Sequence, residues 1–151
     1  MSAPGTTARR VMLIIGAAGV LTSAYIHYYL YFHGGYRGIS IDRVVGLDIS
    51  RSFALQAISG FVLAWVLVLS LRWTRWAVPA AAVGALFAAG ALFAYALARS
   101  SGLLGFTENK TSTEAVIAIA AETVALVSLG AYVLTSLVRR PIPSTAPSPT
   151  T

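Results

Sequence analysis

Glu122 is the side chain whose position in this sequence most directly suggests chemistry. It lies within an apolar segment from about Ala115 to Val138. A carboxylate inside a lipid bilayer is costly unless it is paired, protonated or hydrated, so we expect Glu122 to face other helices. Two roles are open for it. It could handle a proton or orient a ligand, or it could be a neutral, hydrogen-bonded tether between helices.

His27 and Gln56 are two further polar side chains at a similar depth in other apolar segments. His27 falls in the last third of a segment over 11–32, and Gln56 lies one turn into a segment over 53–71. Because successive spans run in opposite directions, both residues and Glu122 are expected in the same outer half of the bilayer. The sequence therefore predicts a pocket formed by these three side chains and open to the external side.

The sequence contains no catalytic or cofactor-binding signature. The absence of cysteine excludes disulfides, thiol catalysis and cysteine-ligated metals. The two histidines, His27 and His33, are six residues apart on one predicted helix or its immediate end, so they cannot hold one haem iron between them. We expect no catalytic residue, no metal site and no cofactor, which favours a non-enzymatic role.

Four apolar segments must position these groups. Apolar residues make up 57% of the 151 residues and charged residues 11%, which is more apolar surface than a domain of this size can bury internally. About 20 apolar residues cross a bilayer as a helix. The segments that are long enough cover 11–32, 53–71, 77–97 and 115–138. The predicted fold is an all-α bundle of four transmembrane helices with both termini on the same side.

Small residues are expected to hold these helices together, because helices in lipid associate through close backbone packing. The first helix has a narrow face, the third has two parallel rows of small residues, and the fourth has a similar face. The residues concerned are Gly16, Gly19 and Ser23; Ala81, Ala85 and Ala89 with Ala80, Gly84 and Ala88; and Ala118, Ala121, Ala125 and Ser128.

The two ends of the chain are predicted to be disordered. Residues 139–151 contain four prolines among Ser and Thr, and residues 1–10 resemble them. Basic residues near the helix ends give the orientation, with six on the side of the termini and five on the other. The six are Arg9, Arg10, Arg72, Arg75, Arg139 and Arg140. Because they are clustered close to helix ends, both termini are predicted to be cytoplasmic.

The connection between the first and second spans is the longest, and it is rich in Gly, Arg and Asp. Loops of this kind commonly carry contacts, so a partner or a lipid headgroup is expected to bind here. The candidate contact residues in the external loops are His33, Arg37, Asp48, Arg51 and Glu108.

Three short stretches connect the chain with a known group of proteins. They are the aromatic segment around His27, the residues 53–57 (Phe-Ala-Leu-Gln-Ala) and the residues 102–108 (Gly-Leu-Leu-Gly-Phe-Thr-Glu). The layout resembles the small four-helix membrane proteins of actinobacteria, loosely of the DoxX type, over most of residues 10–138. The resemblance implies a four-helix bundle in a bacterial inner membrane, and it implies no established activity.

Three functions are compatible with these features. The leading hypothesis is a non-enzymatic accessory or scaffold component of a larger membrane complex, whose partner is another membrane protein or a second copy of the chain. The second is a protein that binds a quinone, a lipid or a proton in the outer-half pocket. A small exporter is the third, although its membrane glutamate would be expected in the first helix, whereas Glu122 is in the fourth. The scattered basic residues form no stripe, so nucleic acid is not an expected partner.

Overall fold

Four long α-helices account for most of the computed structural model, which describes residues 4–39, 48–104, 106–109 and 111–138. The helices are α1 (Pro4–His33), α2 (Ile49–Ser70), α3 (Ala77–Ser100) and α4 (Thr113–Val138), and a single 3₁₀ turn, Thr74–Trp76, leads into α3. Each of the four is long and apolar enough to cross a membrane. The predicted four-helix bundle is confirmed.

The helices pack in a ring in which α1 has the most extensive contacts. It lies along both α2 and α4, while α3 packs against α4 and less extensively against α2. The beginning of α1 meets the end of α4, because the Arg9 guanidinium donates hydrogen bonds to the hydroxyl groups of Tyr132 (3.3 Å) and Ser136 (2.7 Å). We call this the Arg9 end of the bundle, and the opposite end, where α1 runs into α2 and α3 into α4, the loop end.

Glycines allow the helices to approach closely, as predicted. Leu129 of α4 is fully buried and lies against Gly16 of α1 and Gly84 of α3. A Cβ atom on Gly84 would be only 2.6 Å from the Cδ1 atom of Leu129. One leucine side chain therefore fills the space that two glycines leave open, and it joins three helices.

The contacts of α1 with its two neighbours depend on small residues as well. A Cβ atom on Gly19 would lie 2.6 Å from the backbone oxygen of Ala121 in α4, and one on Gly60 of α2 would lie 2.8 Å from the Cβ atom of Ala24. Close packing of this kind replaces the hydrophobic effect, which contributes little between helices in lipid.

The helix boundaries differ most from the predicted ones at the starts of α1 and α2. Helix α1 begins at Pro4, so residues 4–10 are helical rather than disordered. Proline is favourable in a first turn, and Arg9 is held by its hydrogen bonds to α4. Helix α2 begins at Ile49 because the Asp48 carboxylate accepts a hydrogen bond from the backbone N–H of Arg51 (2.8 Å). The remaining predicted disordered residues, 1–3 and 139–151, lie outside the described residues.

Candidate functional site

A cavity of about 150 Å³ lies at the loop end of the bundle and is bordered by all four helices. His27 of α1, Gln56 of α2 and Glu122 of α4 line it together. Helix α3 contributes a wall of small and aromatic side chains, which are Ala91, Ala94, Tyr95 and Ala98. The structure thus places the three polar residues that were predicted from their depth in the sequence around one space.

Glu122 is buried, with 3% of its surface exposed, and it is tied to α1. The Ser23 hydroxyl donates a hydrogen bond of 2.7 Å to its Oε1 atom. Within the described part of the chain, no basic side chain forms an ion pair with this carboxyl group, and its second oxygen has no hydrogen-bond partner. The carboxyl group is therefore a tether between helices that still has one oxygen available for a ligand.

His27 is oriented by the same serine. Its Nδ1 atom lies 2.8 Å from the backbone carbonyl oxygen of Ser23. A carbonyl oxygen can only accept, so Nδ1 must carry a proton, and in the neutral ring Nε2 then has a free lone pair. The ring packs against Phe53 of α2 with centroids 5.3 Å apart. His27 lines the cavity, and its ring keeps Nε2 as a hydrogen-bond acceptor.

Ser23 is a site residue that sequence reasoning placed only among the packing residues. It is 1% exposed, and it holds Glu122 through its hydroxyl and His27 through its carbonyl. The signal in the sequence was the spacing of four residues between Ser23 and His27, which puts both on one face of a helix.

Gln56 has an unused donor. Its side-chain nitrogen is buried and has no hydrogen-bond partner among the residues that the structure describes. A buried donor without a partner costs about 1–3 kcal/mol of folding free energy. Such a donor in a native protein therefore suggests that a ligand binds beside it. The cavity is therefore lined by a hydrogen-bond donor, the Gln56 amide, as well as by an acceptor, the His27 ring.

Aromatic rings from a loop and a helix form the outer wall of the cavity. Tyr36 stacks on Phe53 with centroids 4.2 Å apart, and Phe106 meets Tyr36 edge-on at 5.7 Å. The Tyr36 hydroxyl donates a hydrogen bond of 2.8 Å to the Oε2 atom of Glu108. Burial and this hydrogen bond raise the pKa of Tyr36, so its hydroxyl stays protonated and joins the two loop-end connections.

The connection between α3 and α4 folds over the cavity as a tight turn. Leu103 and Phe106 exchange backbone hydrogen bonds of 2.8 and 2.9 Å, and both side chains line the cavity. The turn needs left-handed backbone at Gly102 (φ 82°), which glycine adopts without strain. The residues that follow the turn are held to the end of α3, because the backbone N–H of Glu108 donates a hydrogen bond of 3.0 Å to the carbonyl oxygen of Ala98. Together with Tyr36, the turn lines the cavity at the loop end of the bundle.

The other candidate loop residues lie apart from the cavity. His33 stacks on Tyr29 with centroids 5.1 Å apart, and Arg37 lies over the ring of Phe32. Both are exposed, as is the aromatic stripe of α1, which consists of Tyr25, Tyr28, Tyr29 and Phe32. These rings face outward, as interface-belt residues do.

Asp48 and Arg51 form a local pair at the start of α2. Asp48 is 4% exposed and caps the helix, and the Nε atom of Arg51 lies 3.8 Å from its Oδ2 atom. Of the five loop residues predicted to make external contacts, Glu108 is the one that lines the cavity. Contacts of all five with a partner or a headgroup stay a prediction.

The polar and apolar groups around the cavity define its chemistry. It offers a carboxyl oxygen, an imidazole nitrogen and an amide nitrogen among apolar walls, and a protein cavity of this size accommodates a benzene ring. Over the described ranges, no three His, Asp or Glu side chains lie close enough together to hold a metal ion.

Comparison of the chain with protein-family models, with curated proteins and with solved structures finds no match. The resemblance to DoxX-type membrane proteins therefore stays a prediction. What the structure establishes is a bundle of four helices that are long and apolar enough to span a membrane, with a largely apolar cavity at one end that three polar side chains line.

Proposed function

We propose that this membrane protein binds the ring of a quinone in the cavity between His27, Gln56 and Glu122. One observation carries the proposal. Polar side chains from three different helices line one space with apolar and aromatic walls, and among the described residues the Gln56 side-chain nitrogen has no hydrogen-bond partner. Sites for small ligands generally combine an apolar lining with a few convergent polar groups.

The polar atoms match both forms of a quinone. In the oxidised form, a ring carbonyl accepts hydrogen bonds from the Gln56 amide and from the Glu122 carboxyl group in its protonated state. In the reduced form, a ring hydroxyl donates to the Nε2 atom of His27. The rings of Phe53 and Tyr36 offer surfaces on which a flat ligand can stack. The proposal concerns binding, and electron transfer is no part of it.

The charges around the cavity favour a quinone over the headgroup of a phospholipid. A phosphate group is generally held by Arg, Lys or several backbone N–H groups. No Arg or Lys lies among the described residues that line this cavity, whereas two carboxyl groups, Glu108 and Glu122, do. A neutral ring needs no such cationic group.

The orientation that the sequence predicts remains part of this proposal. Four arginines lie at the Arg9 end, namely Arg9, Arg10, Arg72 and Arg75. The positive-inside rule supports placing this end, and with it both termini, in the cytoplasm of a bacterium with the chain in its plasma membrane. The cavity then opens in the outer half of the bilayer.

Substitution of Gln56 by leucine tests the proposal, because it removes the donor and keeps the volume. The full chain is purified in mild detergent, and binding of ubiquinone-1, which has one isoprene unit, is measured by equilibrium dialysis. Loss of one hydrogen bond is expected to weaken binding about tenfold, equivalent to 1.4 kcal/mol. Thermal stability is expected to stay equal or to rise, since a buried unpaired amide is removed.

Thr123→Val is the matched control, because Thr123 is exposed and its hydroxyl bonds to the carbonyl of Ile119 in its own helix. This variant should bind ubiquinone-1 like the unmodified chain. Equal binding by the Gln56→Leu variant, or no binding by the unmodified chain, would overturn the proposal. Copurification of larger membrane subunits at a fixed ratio would instead support the accessory role that the sequence favours.

A further inference from the structure

The charges of the chain are distributed unequally between the two ends of the bundle. Among the described residues, the acidic side chains lie at the loop end or in the cavity, and they are Asp48, Glu108, Glu114 and Glu122. The Arg9 end carries four arginines and, over the same described ranges, no acidic side chain. Positive charge at this end is therefore not balanced by a carboxylate of the described chain.

Arginines at the loop end differ in this respect, because acceptors lie beside them. The Nε atom of Arg51 lies 3.8 Å from the Oδ2 atom of Asp48. Arg99 donates a hydrogen bond of 2.9 Å to the backbone carbonyl oxygen of Glu108. The two ends thus offer different partners to an anion, and the Arg9 end is the more attractive one.

Arg9 itself is held in place by the fold. Its guanidinium donates hydrogen bonds to Tyr132 and Ser136, and it lies over the Tyr132 ring at 4.8 Å from the centroid. These contacts are with the last two turns of α4, where the carbonyl end of a helix favours a positive charge. The other three arginines at this end are exposed, and they are Arg10, Arg72 and Arg75. Arg9 therefore contributes a fixed charge, while exposed guanidinium groups remain able to contact a ligand outside the bundle.

The connection between α2 and α3 alternates arginine with tryptophan. Arg72 is followed by Trp73 and Arg75 by Trp76, and both indole side chains are more than half exposed. The Arg75 guanidinium lies over the Trp76 ring, 5.7 Å from its centroid. Exposed tryptophans at the end of a membrane span are typical of the headgroup layer. The two arginines beside them are therefore expected at the depth of the lipid phosphates.

The kind of cation and the absence of acids favour one class of headgroup. A guanidinium presents its N–H donors in a planar fork that matches two oxygens of a phosphate group. A zwitterionic headgroup adds an ammonium group, which the unbalanced positive charge of this end repels. A phosphate group without an accompanying cation therefore fits this end best.

We propose that the Arg9 end of the bundle binds an anionic phospholipid such as phosphatidylglycerol, whose phosphate group is held by Arg72 and Arg75. The charges of Arg9 and Arg10 add to the attraction. The lipid belongs to whichever leaflet faces this end, so the proposal does not depend on the orientation of the chain. It is also independent of the proposed quinone site, because the cavity lies at the opposite end of the bundle.

Removal of both connection arginines tests the inference. The full chain is purified in mild detergent and titrated with phosphatidylglycerol or with phosphatidylcholine of the same acyl chains, and bound lipid is counted by native mass spectrometry. The unmodified chain should bind phosphatidylglycerol more tightly. An arginine near an anionic headgroup contributes about fivefold to affinity, so the Arg72→Gln/Arg75→Gln variant should bind phosphatidylglycerol about thirtyfold more weakly. Its binding of ubiquinone-1 should be unchanged, which also reports that it is folded.

Arg37→Gln/Arg99→Gln is the matched control, because both arginines are exposed at the loop end and their loss lowers the net charge of the chain equally. This control should bind phosphatidylglycerol like the unmodified chain. If the variant in the connection fails to fold, Arg72→Gln alone should weaken binding about fivefold.

Three results would overturn the inference. An equal loss of affinity in the loop-end control would show attraction to the whole chain rather than to one end. Equal affinity of the unmodified chain for the two lipids would remove the preference for a net negative headgroup. Displacement of phosphatidylglycerol by inorganic phosphate, beyond that caused by sodium chloride of equal ionic strength, would show that the ligand is a soluble phosphate rather than a lipid.

Discussion

A methyl group at Gly19 tests whether close packing of α1 on α4 sets the geometry of the candidate site. The Cβ atom of an alanine there would lie 2.6 Å from the backbone oxygen of Ala121 and 3.1 Å from the Cβ atom of Ala125, whereas ordinary contact begins at 3.4 Å. Neither obstacle can rotate away, since one is backbone and the other a methyl group. The two helices must therefore separate locally by about 0.8 Å, the shortfall in the shorter contact.

The energetic cost follows from two opposing effects. Overpacking costs about 1–3 kcal/mol, and alanine in place of glycine in a helix returns up to about 1 kcal/mol. The Gly19→Ala variant should therefore lose about 1 kcal/mol of unfolding free energy. One turn along α1, the bond from Ser23 to Glu122 would lengthen from 2.7 Å toward about 3.5 Å, the limit for a hydrogen bond. We expect ubiquinone-1 binding to weaken together with stability.

Gly130→Ala is the matched control for this substitution. Gly130 lies in α4, and a Cβ atom there would meet nothing within 4 Å, so the alanine brings its helix propensity without a clash. The unfolding free energy of both variants is measured by titration with sodium dodecyl sulfate and tryptophan fluorescence. Gly130→Ala should be at least as stable as the unmodified chain. If Gly19→Ala were equally stable, the close contact would not be what holds α1 against α4.

Two further predictions concern the loop end and the orientation. Tyr36→Phe removes the hydrogen bond to Glu108 and keeps the ring, so about 1 kcal/mol should be lost in the same titration. The folded-state pKa of Tyr36 is raised above its ordinary value of 10.0, so the stability difference between Tyr36→Phe and the unmodified chain should be constant from neutral pH to pH 10.0 and shrink only at higher pH. A stability difference that vanished below pH 10.0 would contradict the hydrogen bond from Tyr36 to Glu108. The chain has no cysteine, so single cysteines at Thr74 and Asn109, which are exposed at opposite ends, can be labelled with a membrane-impermeant maleimide on intact cells. Only Asn109→Cys should react, and the reverse pattern would invert the orientation.

The bundle and the depth of its polar residues could be predicted because both follow from counting along the chain. Four apolar segments of sufficient length leave no other common fold, and the helical rise fixes the level of His27, Gln56 and Glu122. That they line one cavity depends in addition on how each helix is rotated about its axis. The rotation of each helix could be predicted because lipid disfavours all three polar side chains, so each should face the inside of the bundle.

Details that depend on the crossing of two helices could not be predicted. Ser23 bonds to Glu122 only because Gly19 lets α1 approach α4 so closely, and no local pattern encodes that distance. The early start of α1 was missed for a similar reason. The composition of residues 4–10 resembles a disordered end, and the helix is extended there by Arg9, whose partners lie more than a hundred residues away in α4.

Leu129 has a consequence for the order in which the bundle is completed. Helices enter a membrane in the order of synthesis, so α1, α2 and α3 are present before α4. Helices α1 and α3 contact each other little, and the glycines that face Leu129 from both sides leave a gap between them. The fourth helix therefore packs last, and its Leu129 side chain fills the gap between α1 and α3 and completes the bundle. Because Glu122 belongs to the same helix, the cavity is not complete until α4 is in place.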